Sequence, residues 1–300
     1  MLGVLVALIA MSSASAPAQP STSISSGPEI IVRRRVFTSS DISKAVRSIG
    51  QPVPIGGFDD QYPRWRTTLC VAIVGMPVDA GRFIADQIGV AARDVGLKTG
   101  APGCQPNAFI LFTAAPAKLI ARARIHKAEL VSGVDPATLS LIGKSSDAVR
   151  WIGSVELAAP QGGPALPSDS GIAVRPFLLL NRHDGGSRIT DSAQTFLERM
   201  TVIVDTRQIE GIAYGQLSAY LALATLAELN PHAVAPNVDS ILSLFPRSGH
   251  APNGLTTFDK AYLKGLYDSN PEMPGVMQRS SIIASVRRTL NSSETPPTAP

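Results

Sequence analysis

The sequence predicts an α+β protein. Its N-terminal half should alternate strand and helix around a mixed sheet, and its C-terminal third should be helical around one buried helix. Two observations carry this. Two short apolar runs, Leu69–Val74 and Ala108–Thr113, are each followed by a segment with helical spacing of apolar residues. Later, residues 212–229 form a long apolar stretch whose one charge is Glu228, which is the pattern of a helix buried on all sides.

Taken in order, Glu29–Val36 alternates weakly and reads as an edge strand. Ser39–Ile49 reads as a helix, with Ser40 or Asp41 as N-cap, and the Gly/Pro-rich residues 50–63 read as loop. Leu69–Val74 is expected to be a buried strand. The helix Val78–Val95 should turn Phe83, Ile84, Ile88, Ala91, Ala92 and Val95 to one face and stop at Gly96 and Gly100. Ala108–Thr113 and Ala117–Leu130 repeat the strand–helix pair, so the two strands are expected to be parallel. Further strands are expected at Trp151–Ala158 and Val174–Asn181, around a Pro/Gly loop at 160–171. Ser192–Glu198 starts a helix, or Met200–Asp205 forms a strand. The buried helix Ile212–Leu229 should end at Asn230-Pro231. Beyond it come a short apolar turn or strand at Ser240–Phe245, an amphipathic helix at Thr257–Asp268 and a basic helix at Ser280–Leu290.

The chain has 300 residues, of which 44% are hydrophobic and 17% charged, with a net charge of +4. That balance supports a sizeable core and argues against nucleic acid as a partner. Residues 2–11 form an uninterrupted apolar run, too short to span a bilayer and followed by small residues ending in Ala16-Pro17-Ala18. They read as a cleavable signal peptide, residues 1–18, although the positive n-region is only the terminal amine. A Ser/Pro-rich leader (19–28), one α/β domain (29–290, with halves 29–185 and 186–290) and a disordered polar tail (291–300) complete the organisation. The expected address is periplasmic or secreted, with no membrane span after cleavage. The two cysteines, Cys70 and Cys104, then read as a disulfide worth about 3–4 kcal/mol in the chain-entropy model.

Catalytic motifs are sparse. The sequence has no GxSxG, no SxxK and no EF-hand ladder. Gly143-Lys144-Ser145 lacks its upstream glycine because position 138 is Thr, so a phosphate loop is not expected. The four histidines, His126, His183, His232 and His250, form no HxxxH pair. His183 beside Asp184 at a strand end is a weak polar candidate, as are Asp205 and Glu210 near the buried helix. Capping is the competing role for the two acids, and Asp259 has the same character. No metal and no cofactor are expected.

Ser240-Ile241-Leu242, Leu255-Thr256-x-x-Asp259, Leu266-Tyr267-Asp268 and Pro274-Gly275 follow the buried helix in that order. This pattern resembles a family of uncharacterised exported proteins of alphaproteobacterial type, whose fold looks related to zinc metallopeptidases of the zincin kind. An active zincin carries HExxH on the buried helix. The resemblance implies that Gln216, Leu217 and Tyr220 stand at those places here, which leaves a degenerate metal site and no hydrolysis. The residues themselves read more simply. Thr256 is a candidate N-cap with Asp259 in the first turn, and Gln216 and Tyr220 share a helix face from which they can bond a loop.

Three functions follow. The first is a non-catalytic binding or structural protein of the cell envelope, on a degenerate peptidase-like scaffold. The second is a hydrolase using the distant residues His183, Asp205 and Glu210. The third is an adaptor for another envelope protein, with Arg33–Arg35 as contact.

Overall fold

The computed structural model describes residues 37–56, 59–126, 128–131, 134–158, 194–245 and 251–292. The expected signal peptide, the strand Glu29–Val36, Arg33–Arg35, the strand Val174–Asn181, His183 and His250 lie outside them.

The fold is α+β. Its sheet is organised by β7 (Gln194–Asp205), a 12-residue strand. β6 (Val149–Ala158) runs antiparallel along the whole of one side of it, from Val149 opposite Val204 to Ala158 opposite Gln194. The other side is shared. β5 (Ala108–Thr113) lies parallel to Met200–Asp205, and the two-residue β3 (Arg64–Trp65) pairs with Phe196 and Leu197. β4 (Val71–Val74) is parallel to β5, as the strand–helix–strand order implied, and forms the far edge. Side-chain alternation sorts the two faces. Met200, Val202 and Val204 join Ala108, Ile110 and Phe112 in the large core. Ile203 and Leu111 enter a smaller core under α3 (Pro116–Ile125) and α4 (Pro136–Lys144).

The large core is covered by α1 (Ser39–Ile49), α2 (Val78–Asp94), α5 (Tyr214–Leu226), α6 (Thr257–Asp268) and α7 (Gly275–Ser292). Every residue of α5 from Leu217 to Leu226 is buried, as its even apolar composition requires. Its end is buried too, so its last carbonyls need donors. Trp65 Nε1 donates to Thr225 O at 2.8 Å and Tyr267 Oη to Leu226 O at 2.9 Å. The chain turns extended at Ala227. The helix therefore stops before Asn230-Pro231, not at it. α6 and α7 approach closely at Gly265, where a Cβ would stand 2.9 Å from the Ser285 Cβ.

Several expectations are corrected. The N-cap of α1 is Thr38, not Ser40 or Asp41, because Thr38 and Asp41 bond each other's backbone in a capping box. Residues 50–63 contain a β-hairpin, β1 (Val53–Gly56) with β2 (Asp59–Gln61). β4 is half-exposed, not buried, because among the described residues it has a strand on one side alone, and Phe83 of α2 is 43% exposed. Ala117–Leu130 divides into α3 and a 3-10 turn at Glu129–Val131, after which Asp135 caps α4. Ser192–Glu198 starts no helix in its described part: Gln194–Glu198 belongs to β7, whose entry is held by Thr195 N donating to Gln61 Oε1 at 2.9 Å. Ser240–Phe245 is a 3-10 helix at Ile241–Leu244, and α7 begins at Gly275 instead of Ser280.

Cys70 and Cys104 are disulfide-bonded, with Cα atoms 6.1 Å apart. Asn107 docks the loop that carries Cys104. It accepts from Cys70 N at 2.8 Å and donates to Thr68 O at 3.0 Å. No described helix is long and apolar enough to cross a membrane.

Candidate functional site

The outer side of β6 opens into a cavity of ≈ 910 Å³ that every residue from Val149 to Val155 lines. Among the described residues, β6 pairs with β7 alone, so its outer backbone has no strand beside it. Two walls rise from this edge. One is α4, through Thr138, Leu141 and Ile142. The other combines Gln51–Pro54 with Glu228–His232. Most of the lining is apolar, and Leu141 is 67% exposed. A second cavity of ≈ 700 Å³ adjoins it, sharing Asp147, Trp151 and His232 and adding Arg207, Tyr220 and Phe245.

Glu228 enters the second wall by a chain of backbone constraints. After α5 the strand-like stretch pairs with the end of α1. Gln51 N donates to Glu228 O at 3.0 Å and Asn230 N to Ile49 O at 2.8 Å, and a bridge joins Gly50 to Leu229. Trp151 Nε1 holds Leu229 O at 3.0 Å. The carboxyl is thereby laid over β6 at Gly153, where any Cβ would collide with it. Its Oε2 is buried and has no hydrogen-bond partner among the described residues. Burial alone pushes this carboxyl up to about 8, so it is held protonated at neutral pH.

Arg150 sits on the opposite face of the same strand. Its Nη2 donates to Ser145 O at 2.6 Å, while Nε and Nη1 are buried without partners among the described residues. Burial lowers its pKa, against the opposing pull of Asp205 and Asp147. A carboxyl and a guanidinium with unsatisfied hydrogen-bonding atoms, set in a mostly apolar groove, make a pattern of polar handles in a ligand pocket.

The residues expected from sequence fall elsewhere. Asp205 is fully buried but spends both oxygens on Arg207, at 2.9 Å to Nε and 2.7 Å to Nη2, and caps the turn that follows β7. The Arg207 guanidinium holds the Asp205 carboxyl down at about 2. Glu210 lies exposed in the turn before α5. Gln216 Nε2 bonds the carbonyls of Ala251 and Pro252, at 3.2 and 3.1 Å. Leu217 is core, and Tyr220 meets Phe245 edge-on, with ring centroids 5.1 Å apart. Asp259 joins the caps of α6 and the 3-10 helix, accepting from Ser240 Oγ, Ile241 N and both Thr256 donors. His126 caps the end of α3 and His232 lies at the groove rim, both exposed. Among the described residues, no three His, Cys, Asp or Glu side chains gather to hold a metal.

Sequence reasoning passed over Glu228, Gly153, Arg150 and α4. The available signals were a single charge closing an apolar run, a glycine inside a strand pattern and the Asp135-Pro136 helix start. No family model, curated protein or solved structure matches the chain.

Proposed function

We propose that this is an exported, non-catalytic ligand-binding protein whose ligand occupies the groove along β6. The observation that carries the reading is the buried Glu228 Oε2, without a partner among the described residues, in the wall of a ≈ 910 Å³ cavity. A buried polar atom without a partner costs about 1–3 kcal/mol, and rotation of the carboxyl toward a ligand donor in the groove recovers it. The apolar leader run and the disulfide support export. On this reading α5 is the degenerate counterpart of a peptidase helix, and Gln216, Leu217 and Tyr220 serve packing and loop anchoring. The hydrolase reading through Asp205 loses support, since a carboxylate neutralised by Arg207 is a poor base.

The test is titration of the purified chain with an environment-sensitive apolar dye, read by dye emission and by Trp151 fluorescence. Saturable binding that Trp151→Phe and Leu141→Asp each weaken is the expected result. Absence of saturable binding, or hydrolysis of a peptide or ester substrate lost on Glu228→Gln, would overturn the reading.

A further inference from the structure

Resting on the ligand-binding reading above, we infer that the occupant is an extended peptide that adds a strand to β6 and seats a basic side chain against Glu228. Three features point to a peptide. The cavity follows the strand from Val149 to Val155, roughly 20 Å at the rise of a β-strand. Its volume stands at the upper end of small-molecule pockets. Its floor is a strand edge whose outer backbone is unpaired among the described residues, the surface to which a peptide strand binds through its main chain. The two walls would receive the alternating side chains, one row toward Leu141 and Ile142 and the other toward Pro52, Pro54 and Glu228.

Charge fixes the class of side chain. Of the acids in the groove, Asp135 caps α4 and Asp147 accepts from Ser145 Oγ, whereas Glu228 Oε2 has no partner among the described residues. The cations Lys144 and Arg150 line the groove beside α4, and Arg150 already faces Asp147 and Asp205. Glu228 over Gly153 is therefore the place left for an ammonium or guanidinium. A cation beside this carboxyl favours its ionised form. Seating a lysine at neutral pH then releases a proton, and affinity rises between pH 6 and 8. His232 also faces the groove and serves as the control.

The experiment is calorimetric titration of the full chain with a capped heptapeptide of alternating valine and threonine around a central lysine. The comparison peptide carries norleucine at the centre, and two further peptides are N-methylated at odd or at even positions. The lysine peptide should bind about tenfold tighter than the norleucine one at pH 8. Glu228→Gln should erase that difference while leaving cooperative unfolding intact, and His232→Ala should leave the pH dependence in place. One N-methylation pattern should abolish binding and the other spare it, because a strand pairs through every second residue. Equal binding of both methylated peptides overturns strand addition, and equal binding of lysine and norleucine overturns the role of Glu228. If the dye binds the groove and no peptide does, the peptide inference alone falls; if neither binds, the ligand-binding reading falls with it. A concentration-dependent dimer that excludes the peptide assigns the edge to a second copy. Peptide binding gained only on shortening the 159–193 connection assigns it to the chain itself. Either result overturns the inference.

Discussion

Two carboxylates in the C-terminal third meet burial in opposite ways. Asp259 is completely buried, yet Ser240, Ile241 and Thr256 supply it with donors, so a short loop and two helix starts are tied at one point. Glu228 Oε2 is as thoroughly sealed and receives no donor among the described residues. Burial raises the pKa of both groups, but only at Asp259 do hydrogen bonds pull the other way. A satisfied buried acid organises structure, whereas an unsatisfied one in a cavity wall is a cost that structure alone does not explain. That contrast is what separates the Glu228 groove from the Asp259 junction as a candidate site.

The largest expected effect lies at the junction. Asp259→Ala strips the partner from two backbone donors and two hydroxyls at once. It should cost about 3–5 kcal/mol in a urea unfolding experiment. Loss of less than about 1 kcal/mol would show that water replaces the carboxylate and would break the comparison.

Next is the pH response of the groove. The folded carboxyl of Glu228 stands at about 8 against an ordinary 4.5, so between those values the folded state holds a proton that the unfolded state has released. Its contribution is present at pH 4.5 and below, and stability falls as pH rises toward 8, by on the order of 4 kcal/mol. Glu228→Gln should flatten this slope in urea midpoints measured from pH 5 to 9. Glu228→Met should raise stability at pH 8 by a few kcal/mol and abolish the preference for a lysine peptide. A substitution that stabilises at Glu228, set beside one that destabilises at Asp259, is the sharpest form of the contrast.

Gly153→Ala places a Cβ into the Glu228 carboxyl and should cost about 1–3 kcal/mol. Combined with Glu228→Ala the penalty should largely vanish, and a double-mutant cycle that shows simple additivity would separate the two residues. The smallest effect is at the exposed Arg207. The Asp205 carboxyl, held at about 2, contributes stability that is present above its ordinary 3.8 and lost as pH falls through 2. Arg207→Ala should therefore lower stability modestly at pH 7, the exposed guanidinium being screened by solvent, and the difference from the parent chain in urea midpoints should vanish as pH falls toward 2.

Local chemistry alone determined a good part of this protein. The ends of α1 and α6 are readable because a capping residue and an apolar period lie within a few positions of each other, and Thr256 with Asp259 is such a pair. β5 and the apolar body of α5 are readable from short runs of one character. The disulfide is readable because there are only two cysteines to pair. The groove was not readable in this way. Glu228 reaches Gly153 because β6, among the described residues, pairs with β7 alone and because Gln51 and Asn230 fix the chain after α5, a set of contacts joining residues far apart in sequence. The exposure of β4 and the placement of α4 as a wall depend in the same way on which strand became an edge. Propensity and spacing act over a few residues, whereas the partner of a buried polar atom is chosen by the packing of whole elements. Tertiary structure therefore decided which of the two acids, Asp259 or Glu228, would find donors among the described residues.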